Sequence, residues 1–233
     1  MIKNIFFDLD DTLLDFHQAE RVALYKTLVE IGVDPDDSLL SRYSEINAAQ
    51  WRLLEEGKLT RAEVKVERYR ILFQEMGISY LPERATAIYE RFLGIGHYFI
   101  DGAEQLLTEL YGKYSLFLAS NGTLSVQKSR IASAGIERFF DAVFISQEIG
   151  ADKPTAAFFD ACFAKIPHLK RSETLIIGDS LTSDIRGGKN AGIVTVWFNP
   201  HQKENHTDIL PDYTVHHLRD FPSLLRKLSS TNM

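Results

Sequence analysis

The sequence predicts an α/β protein with a doubly wound parallel sheet and an inserted bundle of helices. Short apolar runs alternate with helical patterns after Tyr98, which is the order that builds a parallel sheet. One further apolar run opens the chain, and several helical patterns with no strand between them separate it from the others. Because such consecutive helices bury their apolar faces against one another, the insert is predicted to be a small bundle.

The boundaries of the elements follow from apolar periodicity and from Gly, Pro and capping residues. Strands are predicted at residues 2–7, 115–119, 142–145, 174–177 and 193–197. The inserted helices are predicted at residues 16–31, 36–56, 60–76 and 82–93. Thr60 and Glu63 have the spacing of a capping box at the start of the third helix. The predicted domains are an α/β domain of residues 1–14 and 98–233 and a helical domain of residues 15–97.

The composition is that of an ordinary globular protein, with 45% hydrophobic and 25% charged residues. A net charge of −6 without a basic stripe argues against a nucleic-acid polymer as partner. No uncharged apolar run is long enough to cross a bilayer, and the first strand begins too close to Met1 for a signal peptide. We therefore expect a cytoplasmic protein with no membrane partner, either a monomer or a homodimer. Cys162 is the only cysteine and is expected to be buried in a helix.

Acidic residues follow the first strand. Asp8 and Asp10 come directly after the apolar run 5–7 and two residues apart, so both carboxylates can face one point. Desolvated carboxylates are costly unless they meet a cation, and a divalent metal ion would leave one of them free to attack an electrophile. The alternative interpretation is a helix N-cap with acidic residues in the first turn.

Polar residues also follow two of the later strands. Ser120 and Asn121 come after the second predicted strand, and Asp179 and Asp184 after the fourth. Lys153 lies in a turn ahead of a helical pattern. Because the carboxyl ends of parallel strands meet at one edge of the sheet, where open α/β sheets bind ligands, these residues predict a functional site.

This combination of motifs resembles the haloacid dehalogenase superfamily of aspartyl-phosphate phosphatases. The first motif of that superfamily, Asp-x-Asp-x-Thr after an apolar strand, matches Asp8, Asp10 and Thr12. Its other motifs are a Ser or Thr at a strand end, a Lys before a helix, and Gly-Asp followed by another Asp. These match Ser120, Lys153, Asp179 and Asp184. The resemblance covers nearly the whole chain outside the helical insert, and it implies the α/β core fold and the phosphatase chemistry of the superfamily.

The resemblance also implies a role for each catalytic residue. Asp8 would be the nucleophile that forms an aspartyl-phosphate, and Asp10 would be the general acid and then the general base. Ser120 would donate a hydrogen bond to a phosphoryl oxygen, and Lys153 would neutralise charge that develops on the transferred group. Asn121 could add a hydrogen-bond donor to the substrate, although Asn-Gly is also a common turn.

Mg²⁺ is the cofactor that the resemblance implies, because it prefers hard oxygen ligands and usually retains a substrate phosphate. Its implied protein ligands are the carboxylates of Asp8 and Asp179 and the backbone carbonyl of Asp10. Asp184 is expected beside the metal, where it would orient a metal-bound water or Lys153. The expected partner is therefore a small phosphorylated metabolite.

An insert at this position forms a cap over the active site in the resembled superfamily, so substrate choice is expected to lie in the helices. The segment that holds Asn47 and Trp51, followed by Gly57 and Thr60, resembles the cap of bacterial pyrimidine nucleotidases of the YjjG type. Phe16 and Trp51 are candidates to stack on a base, and Asn47 is a candidate to hydrogen-bond its edge. The alternative is that both aromatic side chains pack the interior of the bundle.

The predicted function is hydrolysis of phosphomonoesters, with nucleoside 5′-monophosphates as substrates and sugar phosphates or another small metabolite as the alternative. Dehalogenases of the superfamily lack the second acid, so the presence of Asp10 argues against carbon–halogen hydrolysis. A phospho-receiver domain carries its phosphoacceptor and acidic pair on different strands and has no helical insert. A non-catalytic binding protein would normally have lost at least one motif residue.

Overall fold

The structure is a computed structural model of the chain and describes residues 1–166 and 168–230. It divides into two compact units. The sheet unit comprises Met1–Asp15, Phe99–Leu124 and the described residues from Gly135 onward. The helical unit comprises Phe16–Tyr98 and Ser125–Ala134. The helical unit thus includes a segment that the predicted helical domain does not contain, and the assignment of the two units as core and cap stays a prediction.

The sheet unit is built on parallel strands. They are β1 (Asn4–Phe7), β2 (Ser115–Ser120), β3 (Ala142–Ile145), β4 (Thr174–Gly178), β5 (Val194–Phe198) and β6 (Tyr213–Val215). Their order in the six-stranded sheet is β3-β2-β1-β4-β5-β6. The predicted α/β fold class is confirmed, and the first five strands lie within two residues of their predicted ends. The short edge strand β6 was not predicted, because three residues carry too little periodicity.

The centre of the sheet is buried on both faces, as the apolar sequences of its strands require. Ile5, Phe6 and Phe7 of β1 have no exposed surface. The Phe6 ring packs against the ring of Phe117 on the neighbouring strand β2 and against that of Phe144 on β3, one strand further along the sheet, with centroids 5.0 and 6.0 Å away. Cys162 is buried in the same cluster, as the sequence predicts. This apolar layer buries the strands that lead to the polar strand ends.

The helices follow the predicted periodicity closely. Those of the helical unit are α1 (Phe16–Glu30), α2 (Asp37–Glu55), α3 (Arg61–Met76), α4 (Pro82–Leu93) and, apart from its first residue, α6 (Leu124–Ala134). Those of the sheet unit are α5 (Ala103–Leu110), α7 (Ser146–Ile149), α8 (Ala156–Lys165), α9 (Arg186–Ala191) and α10 (Phe221–Ser230). None of the helices in the described ranges is long and apolar enough to span a membrane.

Local sequence explains the ends of α3. The predicted capping box is present, because the Thr60 backbone N–H donates to Glu63 Oε2 at 2.7 Å and the Glu63 N–H donates to Thr60 Oγ1 at 3.3 Å. The helix ends at Gly77, whose φ of 65° lies in the left-handed region that favours glycine. Both ends of α3 are thus fixed by residues that the sequence alone identifies.

Candidate active site

The site lies at the carboxyl ends of the three central strands. Asp8 follows β1, Ser120 ends β2, and Asp179 follows β4. Phe7 pairs with Leu118 and with Ile177, so the three strands end at nearly the same level. Because these strands are neighbours in the sheet, their polar end residues converge at one edge.

Lys153 is the best-anchored side chain of this edge. Its ammonium Nζ donates to Asp8 Oδ1, to the carbonyl oxygen of Ala119 and to Asp184 Oδ1, each at 2.7 Å. An ammonium has three donors, so these three acceptors satisfy it completely. The side chain is 1% exposed. Burial alone would lower the pKa of Lys153, but the carboxylates of Asp184 and Asp8 raise it above its ordinary value, and the lysine is charged.

Negative charge exceeds positive charge at the site. Carboxylate oxygens of Asp8, Asp179 and Asp184 lie within 4.8 Å of one another. Burial and, after it, the charge of Asp184 raise the pKa of Asp8 to about 8, although Lys153 opposes the rise. Burial, followed by the charges of Asp8 and Asp184, raises the pKa of Asp179 well above its ordinary range. A divalent cation would relieve this repulsion, and an all-oxygen donor set fits Mg²⁺.

The segment after β4 presents two of these carboxylates. A Cβ atom on Gly178 would lie 2.3 Å from Cγ of Asp184, so only glycine leaves room for that side chain. Asp184 Oδ2 also accepts a hydrogen bond from the backbone N–H of Ser180 at 3.1 Å. Trp197 Nε1 donates to the carbonyl oxygen of Asp179 at 2.8 Å and holds the backbone there. The sequence analysis did not assign Trp197 to the site, since its contact is formed only by the pairing of β4 and β5.

Asp10 lies in a tight loop after β1. The backbone N–H of Asp11 donates to the carbonyl oxygen of Leu14 at 2.7 Å, and Asp11 has a φ of 57°. Asp10 itself is half-buried, and its charge contributes to raising the pKa of Asp8. Among the described residues, its carboxylate is not one of the three that form the acidic cluster. Its roles as acid, base and backbone ligand stay predictions.

Asn121 and Ser120 lie next to each other where β2 ends. Asn121 Nδ2 donates to the carbonyl oxygen of Lys153 at 2.8 Å, and Asn121 Oδ1 accepts from the Lys153 N–H at 2.9 Å. Ser120 is 1% exposed, and its Oγ accepts from the backbone N–H of Gly122 at 3.1 Å. The Ser120 hydroxyl oxygen thus accepts a hydrogen bond within the turn that follows β2.

The predicted base-binding residues belong to the helical unit, and two of them have partners inside it. Asn47 Nδ2 donates to Glu20 Oε1 at 2.6 Å, and Asn47 Oδ1 accepts from Arg68 Nη1 at 3.0 Å. Phe16 packs against the apolar core of the bundle. Trp51 is half-buried. The structure thus gives Asn47 a bridging position between two buried charges, and the base contacts of all three residues stay predictions.

The sequence analysis missed the charged pair that Asn47 connects. Glu20 is 2% exposed and Arg68 is 3% exposed. The Arg68 guanidinium lies over three tyrosine rings, with the centroid of the Tyr89 ring 4.6 Å away. The signal was present in the sequence, since Arg68 stands midway between Val64 and Leu72 at the four-residue spacing of a buried helix face.

The comparisons with known proteins fit this geometry. The sequence profile of the family described as haloacid dehalogenase-like hydrolase matches residues 5–198. The chain belongs to this family. The profile spans both units and every residue of the acidic cluster, so the resemblance seen in the motifs is confirmed at the level of the whole domain.

Three relatives of this hydrolase match over nearly their full length. Pyrimidine 5′-nucleotidase PynA of Streptococcus pneumoniae is 40% identical over 97% of this chain and 95% of its own length. Pyrimidine 5′-nucleotidase YjjG of Escherichia coli is 28% identical over 96% of this chain and 97% of its own. The HAD-hydrolase YfnB of Bacillus subtilis is 38% identical, and its crystal structure, bound to magnesium, superposes with a TM-score of 0.92 over 96% of this chain and 98% of that one.

Proposed function

We propose that this hydrolase is a Mg²⁺-dependent phosphomonoesterase that acts through an aspartyl-phosphate on Asp8 and prefers pyrimidine nucleoside 5′-monophosphates. The observation that carries the proposal is the pairing of a buried lysine with an aspartate beside an acidic cluster. Lys153 Nζ lies 2.7 Å from Asp8 Oδ1, and two further carboxylates lie within 4.8 Å. One edge of the sheet thus combines side chains that would serve as the nucleophile, as the cation for the phosphoryl group and as ligands of a metal ion.

Asp8 would carry the phosphoryl group in two steps. Its carboxylate attacks phosphorus, and the bond from phosphorus to the ester oxygen breaks as Asp10 gives its proton to the leaving alcohol. Asp10, now ionised, takes a proton from water. That water attacks phosphorus, the bond from phosphorus to Asp8 breaks, and orthophosphate leaves. Both aspartates then return to their initial protonation states.

The remaining residues of the edge would stabilise charge. Lys153 opposes the rise in the pKa of Asp8 and would balance charge on the equatorial phosphoryl oxygens, while the Ser120 hydroxyl would donate to one of them. Mg²⁺, held by Asp8, Asp179 and the backbone carbonyl of Asp10, would supply further positive charge for the phosphoryl group. Asp184 would act through the hydrogen bond that it accepts from Lys153. The magnesium reported in the YfnB structure supports this choice of metal.

Substrate selection would come from the helical unit, because the residues of the sheet edge have chemistry for the phosphate alone. The names of PynA and YjjG, both pyrimidine 5′-nucleotidases, support a nucleotide as substrate. Since Asn47 bridges Glu20 and Arg68, Trp51 is the member of the predicted base-binding set that we propose as the stacking partner.

A panel of phosphomonoesters tests the proposal. Release of inorganic phosphate in the presence of Mg²⁺ is measured for nucleoside 5′-monophosphates, sugar phosphates and an artificial aryl phosphate, with Asp8→Asn as the blank. The proposal predicts the highest kcat/KM for pyrimidine nucleotides and no activity of the blank. Higher kcat/KM values for sugar phosphates would identify these as the preferred substrates and would leave the phosphatase activity of the proposal intact. No phosphate release from any ester would contradict the proposed function and favour a non-catalytic protein.

A further inference from the structure

The side-chain amide of Asn121 forms two hydrogen bonds with the backbone of Lys153. Nδ2 donates to the carbonyl oxygen of Lys153 at 2.8 Å, and Oδ1 accepts from the backbone N–H of the same residue at 2.9 Å. The two residues are 32 positions apart in the chain, so this two-bond clamp joins the end of β2 to the turn before α8. We call this pair of hydrogen bonds the Asn121 clamp.

The end of β2 holds Lys153 at two points. The carbonyl oxygen of Ala119 accepts from Nζ at 2.7 Å, and Asn121, two residues later, holds the main chain. The lysine side chain has several rotatable bonds, so anchoring Nζ alone would leave the position of its charge dependent on a mobile turn. With both ends held by one strand end, the ammonium has a defined place between Asp8 and Asp184.

The side chain of Asn121 has no hydrogen left for a phosphate. An amide nitrogen carries two hydrogens. One is donated to the carbonyl oxygen of Lys153, and the other is directed at Ser183 Oγ, 3.3 Å away. A direct contact of Nδ2 with the phosphoryl group would require at least one of these bonds to break, and loss of the bond to the carbonyl oxygen of Lys153 would open the clamp on the lysine.

From these contacts we propose that Asn121 is a positioning residue, which acts on the reaction by fixing Lys153 and makes no side-chain contact with the phosphoryl group. The inference rests on the proposed phosphatase function and replaces the substrate-binding role that the sequence suggests for Asn121. Its consequence is energetic coupling: the benefit of Asn121 exists only while Lys153 is present.

A double-mutant cycle tests this coupling. Asn121→Ala, Lys153→Ala and the double variant are compared with wild type in kcat and KM for the best substrate of the panel. A misplaced catalytic group costs on the order of a hundredfold, so we expect Asn121→Ala to lower kcat by about tenfold to a hundredfold while KM changes by less. In the Lys153→Ala background the same substitution should change kcat by less than about twofold. Equal losses in both backgrounds would overturn the inference and indicate direct contact with the substrate.

A neighbouring asparagine provides the matched control. Asn190 Nδ2 donates to the carbonyl oxygen of Pro154 at 2.9 Å, so it binds the same turn through a single exposed bond. Asn190→Ala should keep kcat within about twofold of wild type, because a single exposed hydrogen bond contributes little. A loss as large as that of Asn121→Ala would mean that general loosening of the turn, and not the clamp, explains the effect.

Two further measurements keep the test decisive. If Asn121→Ala does not fold, Asn121→Asp enters the same cycle, since an aspartate accepts from the Lys153 N–H but cannot donate to its carbonyl oxygen. Hydrogen exchange of the Lys153 backbone amide reports the clamp without turnover and should be slow in wild type. Fast exchange there would contradict the clamp whatever the enzyme hydrolyses, whereas an inactive wild type with a protected amide would contradict the proposed function alone.

Discussion

Lys153 and Asp8 form a buried ion pair in which 2.7 Å separates Nζ from Oδ1. Lys153 Nζ also lies 2.7 Å from Asp184 Oδ1, so one ammonium contacts two carboxylates. A third carboxylate, that of Asp179, belongs to the same acidic cluster. Burial and the other carboxylates raise the pKa of Asp8 in spite of the lysine. Asp8 can therefore serve as an ionised, attacking carboxylate only with additional positive charge nearby, which a metal ion would provide.

Removing the lysine should damage both stability and turnover. Lys153→Met leaves Asp8 and Asp184 buried without their cation, and such a loss costs about 3–5 kcal/mol of unfolding free energy. Loss of one charge-stabilising donor should also lower kcat at least about a hundredfold. Urea unfolding and steady-state kinetics measure the two effects. Lys3→Met, at an exposed lysine paired with Glu173, is the control and should leave the free energy of unfolding nearly unchanged, because exposed ion pairs contribute little. A Lys153→Met variant as stable and active as this control would refute the assigned role.

The free energy of unfolding of the metal-free protein should decrease as pH rises, which is opposite to the usual effect of a carboxylate whose pKa is lowered on folding. Because the pKa of Asp8 is raised from 3.8 to about 8 on folding, the folded state binds more protons than the unfolded state between these values. The free energy of unfolding should therefore fall as pH rises through that range. Denaturant unfolding in the presence of a chelator measures it, and Asp8→Asn should show a shallower fall. Slopes that are equal in the two proteins would show that Asp8 is not the titrating group.

Activity should require Mg²⁺ and should depend on Asp179. Chelation should abolish phosphate release, and added Mg²⁺ should restore it. Asp179→Ala should raise the Mg²⁺ concentration for half-maximal activity by more than about tenfold, because an oxygen ligand is lost from the cluster. Asp160→Ala, at an exposed aspartate paired with Arg171, is the control and should leave the metal requirement unchanged. Full activity of wild type in excess chelator would exclude a metal-dependent reaction.

Trp51 should matter for nucleotides and not for small esters. Base stacking on an aromatic ring contributes roughly 1–3 kcal/mol, so Trp51→Ala should lower kcat/KM for a pyrimidine nucleotide by about tenfold to a hundredfold. Turnover of an aryl phosphate without a nucleoside should be nearly unchanged. If both substrates lose equally, Trp51 is a packing residue of the bundle, which is the alternative that the sequence left open.

The sequence predicted the elements and motifs whose signals are local. The apolar run 5–7 and the acids after it mark β1 and its strand end, and the register of the sheet then brings Asp8, Ser120 and Asp179 together. Parallel strands with polar carboxyl ends thus encode both the fold and the place of the candidate site. For the same reason the capping box at Thr60 could be located to the residue.

Contacts between distant segments could not be predicted. The partner of the Asn121 side chain lies on another turn of the chain, so the sequence left a substrate contact and a turn open as alternatives and could not identify Lys153 as the partner. Glu20 and Arg68 break the rule that charged residues face solvent, and only the folded bundle pairs them through Asn47. The grouping of residues 125–134 with residues 16–98 in the helical unit likewise depends on tertiary contacts that have no sequence signature.

The central claim is that Asp8 carries the phosphoryl group, and rapid quenching during turnover tests it most directly. Wild type is mixed with substrate and Mg²⁺, quenched in acid within the first turnover and digested for mass spectrometry of the peptide that contains Asp8. We expect a phosphoryl group on Asp8 that appears and decays at rates consistent with kcat, and none in Asp8→Asn. Turnover with the phosphoryl group on another residue, or with sustained phosphate release by Asp8→Asn, would contradict the account.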